Sequence, residues 1–237
     1  MFASADLLRS GGSVLSLRAA SSGRVAKVII RDLATGRTWR ISLERLIGPR
    51  RNLLNAAVAW FAGGDDIAVI PADDAPPPSE SPRVTPSRRP PPCPIQRATI
   101  CLIIVHRPSS PGVLTARALV LHVPDNTFRA QDELATDAAT PRSLLLADAG
   151  WHDQQTLGPL SIDRITPHRT RSTVGRLLSI PSAAAMAFNP TGTRLLYAHS
   201  PGSSTLWLWE AEIAGRHLKH ARVLVRHSQV GSSAACQ

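Results

Sequence analysis

Short β-prone runs, separated by clusters of small residues, open the chain. Val14 to Leu17 and Val25 to Asp32 are two such runs, parted by Ala-Ser-Ser-Gly, a turn-like composition. After Asp32, Leu-Ala-Thr-Gly supplies Gly36, which takes a positive φ at little steric cost. Arg37 to Leu43 then alternates polar and apolar residues as a half-buried strand does. These three runs predict a meander. Ile67 to Ile70, Thr99 to Val105 and Ala116 to Val123 are further strand-sized apolar runs, the last two linked by Pro108-Ser109-Ser110-Pro111-Gly112. From Pro124 to Ser179 the pattern weakens: Leu144 to Leu146 and Leu160 to Ile165 predict strands, and Gln131 to Ala138 a short helix.

Two stretches echo each other without a gap. Val58-Ala59-Trp60 leads into Phe61-Ala62-Gly63-Gly64-Asp65-Asp66 and then Ile67 to Ile70. Met186-Ala187-Phe188 leads into Asn189-Pro190-Thr191-Gly192-Thr193-Arg194 and then Leu195 to Ala198. Trp60 aligns with Phe188, Gly64 with Gly192 and Val69 with Tyr197, always 128 residues apart. That offset is close to three periods of about 40 to 45 residues, the length of one propeller blade. Trp60 and Phe188 are therefore expected at equivalent buried positions on the first strands of different blades.

Ala187-Phe188-Asn189-Pro190-Thr191-Gly192 resembles the first strand and aromatic-Ser-Pro-x-Gly turn of WD repeats, and Trp209-Glu210 stands where that family has Trp-Asp. Arg31-Asp32 keeps the acid in an earlier copy, and no Gly-His pair precedes either first strand. The resemblance is clearest over 183–225 and weaker over 14–70. It implies an all-β fold: a partial or small WD-repeat-like β-propeller of about four blades with a Pro-rich disordered insertion. The expected map places propeller blades over 1–70, the insertion over 71–95 and resumed strands over 96–123. A poorly defined connection over 124–180, a WD-like blade over 181–230 and a tail over 231–237 complete it. The insertion is read from Pro71 to Pro94, which holds half of the 20 prolines; proline removes the backbone donor that a sheet ladder needs.

The net charge of +10 invites an anionic partner. All but two of the 27 basic residues, Lys27 and Lys219, are arginine, and they are spread along the chain. Because nucleic-acid footprints usually cluster, a basic ribonucleoprotein component ranks as the second alternative function. Cys93, Cys101 and Cys236 form an odd, irregular set, read as ordinary strand cysteines in a reducing compartment rather than a disulfide framework. No apolar run reaches the roughly 20 residues of a membrane span, so a cytoplasmic, peripherally membrane-bound or, behind these, mitochondrial location is expected.

Phosphate-cradling Gly-rich loops, nucleophile elbows and zinc helices do not occur in the sequence, so no enzyme activity, cofactor or metal is expected. His217 and His220 read as a solvated basic turn, and Asp65-Asp66 and Asp73-Asp74 as turn carboxylates. Trp207 and Trp209 alternate with Leu206 and Leu208, which puts both indoles on one sheet face. Two interaction motifs stand out. Arg88, Pro91 and Pro94 have the spacing by which a polyproline helix offers an arginine and two proline ridges to an aromatic groove. His168, Arg169 and Arg171 form a basic stretch ahead of the best repeat; similarity to phosphoinositide-binding propellers makes it a candidate lipid site. The leading expectation is a scaffold binding other proteins in a macromolecular assembly. The first alternative is a peripheral phosphoinositide-binding propeller of autophagy or membrane traffic, with anionic lipid as partner.

Overall fold

The computed structural model describes residues 2–7, 12–19, 26–47, 51–62, 64–73, 99–108, 112–122, 128–140, 142–151, 157–168, 172–189, 191–202 and 205–228. Among the described residues the regular structure is all-β apart from one short helix, and the sixteen strands form four antiparallel, four-stranded sheets of the propeller-blade kind. It divides into two compact units, Met1–Asn126 and Thr127–Gln237.

In the first unit, β1 (Phe2–Leu7), β2 (Ser13–Ala19), β3 (Ala26–Asp32) and β4 (Thr38–Ser42) meander in order, and α1 (Glu44–Ile47) follows. The second sheet is β5 (Arg51–Trp60), β6 (Asp66–Asp73), β7 (Thr99–His106) and β8 (Thr115–His122). The strands expected after the insertion therefore complete the sheet begun before it. The boundary expected at residue 70 moves, because β6 continues through Pro71 to Asp73. The β6–β7 ladder ends at Val69↔Ile103, so the missing N–H of Pro71 breaks no bond to β7. Residues 74–98, and with them most of the Pro-rich insertion, lie outside the described residues.

The second unit opens where the sequence shows no blade. Residues 124–180 hold a complete sheet of β9 (Phe128–Thr136), β10 (Leu144–Trp151), β11 (Leu157–Thr166) and β12 (Thr173–Ile180). The short helix expected over Gln131 to Ala138 is instead strand β9, paired with β10 from Phe128↔Trp151 to Thr136↔Leu144. Its Gln, Glu, Leu and Ala residues favour helix locally, but a ladder along the whole segment overrides that weak preference. The fourth sheet is β13 (Ala183–Phe188), β14 (Arg194–Gly202), β15 (Thr205–Ala214) and β16 (His217–Ser228).

The gapless echo is a structural repeat. Trp60 ends β5 and Phe188 ends β13, the first strands of the second and fourth sheets. In both turns the amide two residues before the second strand bonds back three residues: Gly64 N to Phe61 O at 2.8 Å and Gly192 N to Asn189 O at 2.9 Å. Phe61 N donates to Asp66 O at 2.9 Å, and Asn189 N to Arg194 O at 3.0 Å. Both glycines have positive φ, 72° and 65°. Trp60 is buried as expected, whereas Phe188 is only half-buried, packed at the margin of its core.

Alternation builds the core face of β2 to β4, while β7 is buried continuously from Thr99 to Val105. In the first unit Leu15, Leu17, Val28 and Ile30 face Trp60, Ile67, Val69, Ile103 and Val105. In the second, Leu160 and Ile162 meet Ala183, Ala185, Leu195, Tyr197 and Ala211. The turn at Gly192 rests directly on the third sheet: a Cβ there would collide with the Thr136 carbonyl oxygen. At Gly215, also of positive φ, a Cβ would meet nothing within 4 Å. Gly215→Ala should thus cost about 1 to 2 kcal/mol from the left-handed backbone alone. Gly192→Ala should cost clearly more, because the backbone of Thr136 must move as well; urea unfolding of the two variants measures the difference.

Candidate interaction surface

At one end of the first unit the strand termini gather polar and aromatic groups. Ser13 opens β2, Asp32 closes β3, Trp39 lies on β4, Asp66 opens β6 and His106 closes β7. Arg107 ties them together. Its amide donates to Asp65 O at 2.7 Å and its guanidinium Nη1 donates to Ser13 Oγ at 2.8 Å. Nη2 lies 3.7 Å from Asp65 Oδ1, and the guanidinium sits over the Trp39 ring, 5.9 Å from its centroid. Arg37 covers the same ring at 4.9 Å. With its side chain only 18% exposed, Arg107 is a strut between the two sheets rather than a solvated surface charge.

The backbone explains why this position is available. In the first two sheets the residue after the third strand donates to the residue before the second, Leu33 N to Gly12 O and Arg107 N to Asp65 O, and in the fourth Ile213, near the end of β15, donates likewise to Thr193 O. Where two sheets place an aliphatic residue, the second places an arginine. Around the strut, Asp66 Oδ1 and His106 Nδ1 pair at 2.5 Å, both side chains exposed. The Thr35 amide and hydroxyl each donate to Asp32 at 2.8 Å; these bonds, with Arg107 adding its charge, hold the Asp32 carboxyl below its usual range. Leu33 and Val113 stand out of the same end, Val113 81% exposed.

The second unit carries its charges differently. Asp137 and Asp163 are buried and bonded by Arg164 Nε at 2.5 Å and Arg176 Nε at 2.6 Å. On the fourth sheet Tyr197 stacks on Trp209 with centroids 6.3 Å apart, Trp209 lies 6.1 Å from Trp207, and Arg226 covers Trp207 at 5.0 Å. Both indoles thus share a face, as the alternation implies. His220 pairs with Glu212 at 2.9 Å on strand β16, not in a turn. Among the described residues, no three His, Cys, Asp or Glu side chains gather as metal ligands. No helix among them is long and apolar enough to cross a membrane. Cys101, read as an ordinary strand cysteine, is disulfide-bonded; an odd count speaks against a framework, not against one pair.

Arg88, Pro91 and Pro94 lie outside the described residues, as do Arg169 and Arg171, while His168 is exposed just beyond β11. Nothing in the sequence marks Arg107 or Trp39, since each stands alone there and only the sheet pairing brings Ser13, Trp39 and Asp65 to one place.

Replacing Arg107 with Ala should remove the tie and leave the Ser13 hydroxyl without it, at a cost of about 1 to 3 kcal/mol; Arg37→Ala, at an exposed cation–π contact, should cost about 0.5 to 1. Chemical unfolding ranks the two, and a larger loss for Arg37 would disprove the strut. On β9, burial pushes the Glu133 carboxyl up. Its folded pKa exceeds the unfolded value, so this one group favours the folded state most below about pH 4.3, and that contribution is lost as pH rises through the folded value. Glu133→Gln should stabilise the protein at pH 7 and change little at pH 3.5, read from unfolding midpoints at both.

No family model and no curated protein matches the chain. Among solved structures it is similar to a prolyl endopeptidase, described in work on the role of inter-domain dynamics in catalysis and specificity. The identity is 12% and the TM-score 0.49, over 95% of this chain and 28% of that one.

Proposed function

We propose that the protein is a WD-repeat-like scaffold that holds partner proteins in a macromolecular assembly, and that the end of the first unit is a docking surface. The observation carrying this reading is the Arg107 strut. It fixes two sheets against each other at the point where Leu33 and Val113 project with 51% and 81% of their surface exposed. Apolar side chains held on a rigid base, with Asp66, His106 and Arg37 beside them, supply the apolar centre and polar rim that protein interfaces use. Loops on rigid sheets lose little conformational freedom when a partner binds.

A photo-crosslinking residue at Val113, compared with one at Leu224 on β16, tests this in cells. The reading expects one discrete protein adduct from Val113, lost when Leu33→Glu is added, with thermal unfolding of the purified variant unchanged. Adducts that are the same from both positions, or that survive Leu33→Glu, would show that this end is not the docking surface.

A further inference from the structure

The first sheet has two unlike faces. Leu15, Leu17, Val28 and Ile30 are buried on one of them. On the other, the register sets Arg31 across from Val14 and Thr38, Ile29 across from Ser16 and Arg40, and Lys27 across from Ser42. Lys27, Arg31 and Arg40 are all exposed. Arg31 and Lys27 each lie one diagonal step from Arg40, a spacing of about 7 to 8 Å between backbones. The same pairing sets Arg18 opposite Lys27.

None of these three cations makes an ion pair among the described residues, unlike Arg194 and Arg222 of the fourth sheet. There Arg222 and Arg194 both bind Glu210, at 2.5 and 3.2 Å. The nearby acid Asp32 is registered with Ser13, on the core side of the first sheet, and is bonded to Thr35. Separated by 4 and 9 positions in sequence, the cations look scattered; the β3–β4 pairing gathers them.

We propose that this outward face, carrying Lys27, Arg31 and Arg40, binds the phosphodiester backbone of nucleic acid without reading its bases. A second sheet cannot cover the face without burying unpaired charge, so its occupant brings negative charge. Guanidinium forks match phosphate oxygens bidentately, and the hydroxyls of Ser16, across from Ile29, and Thr38, across from Arg31, suit phosphate and sugar oxygens. The β2, β3 and β4 positions of this face carry no aromatic side chain to stack a base or seat in a lipid headgroup layer, and Ile29 at their centre is half-buried. That favours a phosphate polymer over a membrane, which is held by inserted apolar groups as well as charge. The net charge of +10 extends the attraction past the face.

The test measures binding of the full chain to a labelled oligouridylate of about 20 nucleotides by anisotropy across salt, beside polyglutamate and phosphatidylserine vesicles. Each phosphate-contacting cation should contribute about 0.7 to the slope of log affinity against log salt. Arg31→Gln with Arg40→Gln should lower that slope by roughly 1.4 and weaken binding about tenfold or more at 0.1 M salt. Arg216→Gln with Lys219→Gln, equal in charge change but at the β15–β16 hairpin of the fourth sheet, should leave both unchanged. Lys27→Gln alone, lowering the slope by about 0.7, probes the same face should the double variant be destabilised. Absence of RNA binding by the wild type, or equal losses in the fourth-sheet control, would overturn the proposal. So would equal or tighter binding to polyglutamate or vesicles with the same dependence on Arg31 and Arg40.

Discussion

The apolar seam between successive sheets is the interaction on which each unit depends. A four-stranded meander buries nothing by itself; it becomes stable when one face is removed from water against a neighbour. In the first unit the seam is built of large aliphatics, Leu15, Leu17, Ile30, Ile67 and Ile103, each almost fully buried and each contributing about 1.5 to 3 kcal/mol of transfer free energy. The first strand of the second sheet packs on the first sheet through Trp60. Without that face-to-face burial, the turns at either end would have no fixed base.

The second unit solves the same problem with smaller residues. Ala147, Ala183, Ala185 and Ala211 line its seam beside Leu160, Ile162, Leu195 and Tyr197. Alanines bring backbones close, and the contact of the Gly192 turn with the Thr136 carbonyl is the result. Each buries less apolar area than a leucine, so packing carries less of the total here. The Asp137–Arg164 and Asp163–Arg176 pairs lie in the same unit, with carboxylates almost wholly buried. Such pairs gain little over apolar packing, but losing one partner strands a buried charge, so they specify the third sheet more than they stabilise it.

The surface chemistry follows from where the seams leave off. At the strand ends of the first unit, Arg107 is drawn inward to cross from one sheet to the other, and its charge is satisfied by Ser13, Asp65 and Trp39. On the outward face of the first sheet no such partners exist within the described residues, and Lys27, Arg31 and Arg40 stay exposed and unneutralised by an ion pair. The same residue type therefore serves as a strut in one place and as a free cation in another, according to what the sheet pairing sets beside it.

Sequence alone determined three of the four strands of the first sheet, β2 to β4, because their alternation is one-sided and period two shows directly in Thr38–Ser42 and Val14–Leu17; β1 carried no such signal and was missed. Sequence also determined the 128-residue repeat, since Gly64 and Gly192 each answer a local need for positive φ. The third sheet was legible only in part: Leu144 to Leu146 and Leu160 to Ile165 read as strands and lie in β10 and β11, but β9 mixes Arg, Gln, Asp and Glu with few apolar residues, and its strand identity comes from the β10 ladder. The proline at 71 misled for the same reason, since its tolerance depends on where the β7 partner stops. Neither the Arg107 strut nor the basic face is visible along the chain. Each is a meeting of residues distant in sequence, 94 positions apart for Arg107 and Ser13, and only cross-strand register and sheet packing, which are tertiary choices, bring such residues within reach of a hydrogen bond or a shared ligand.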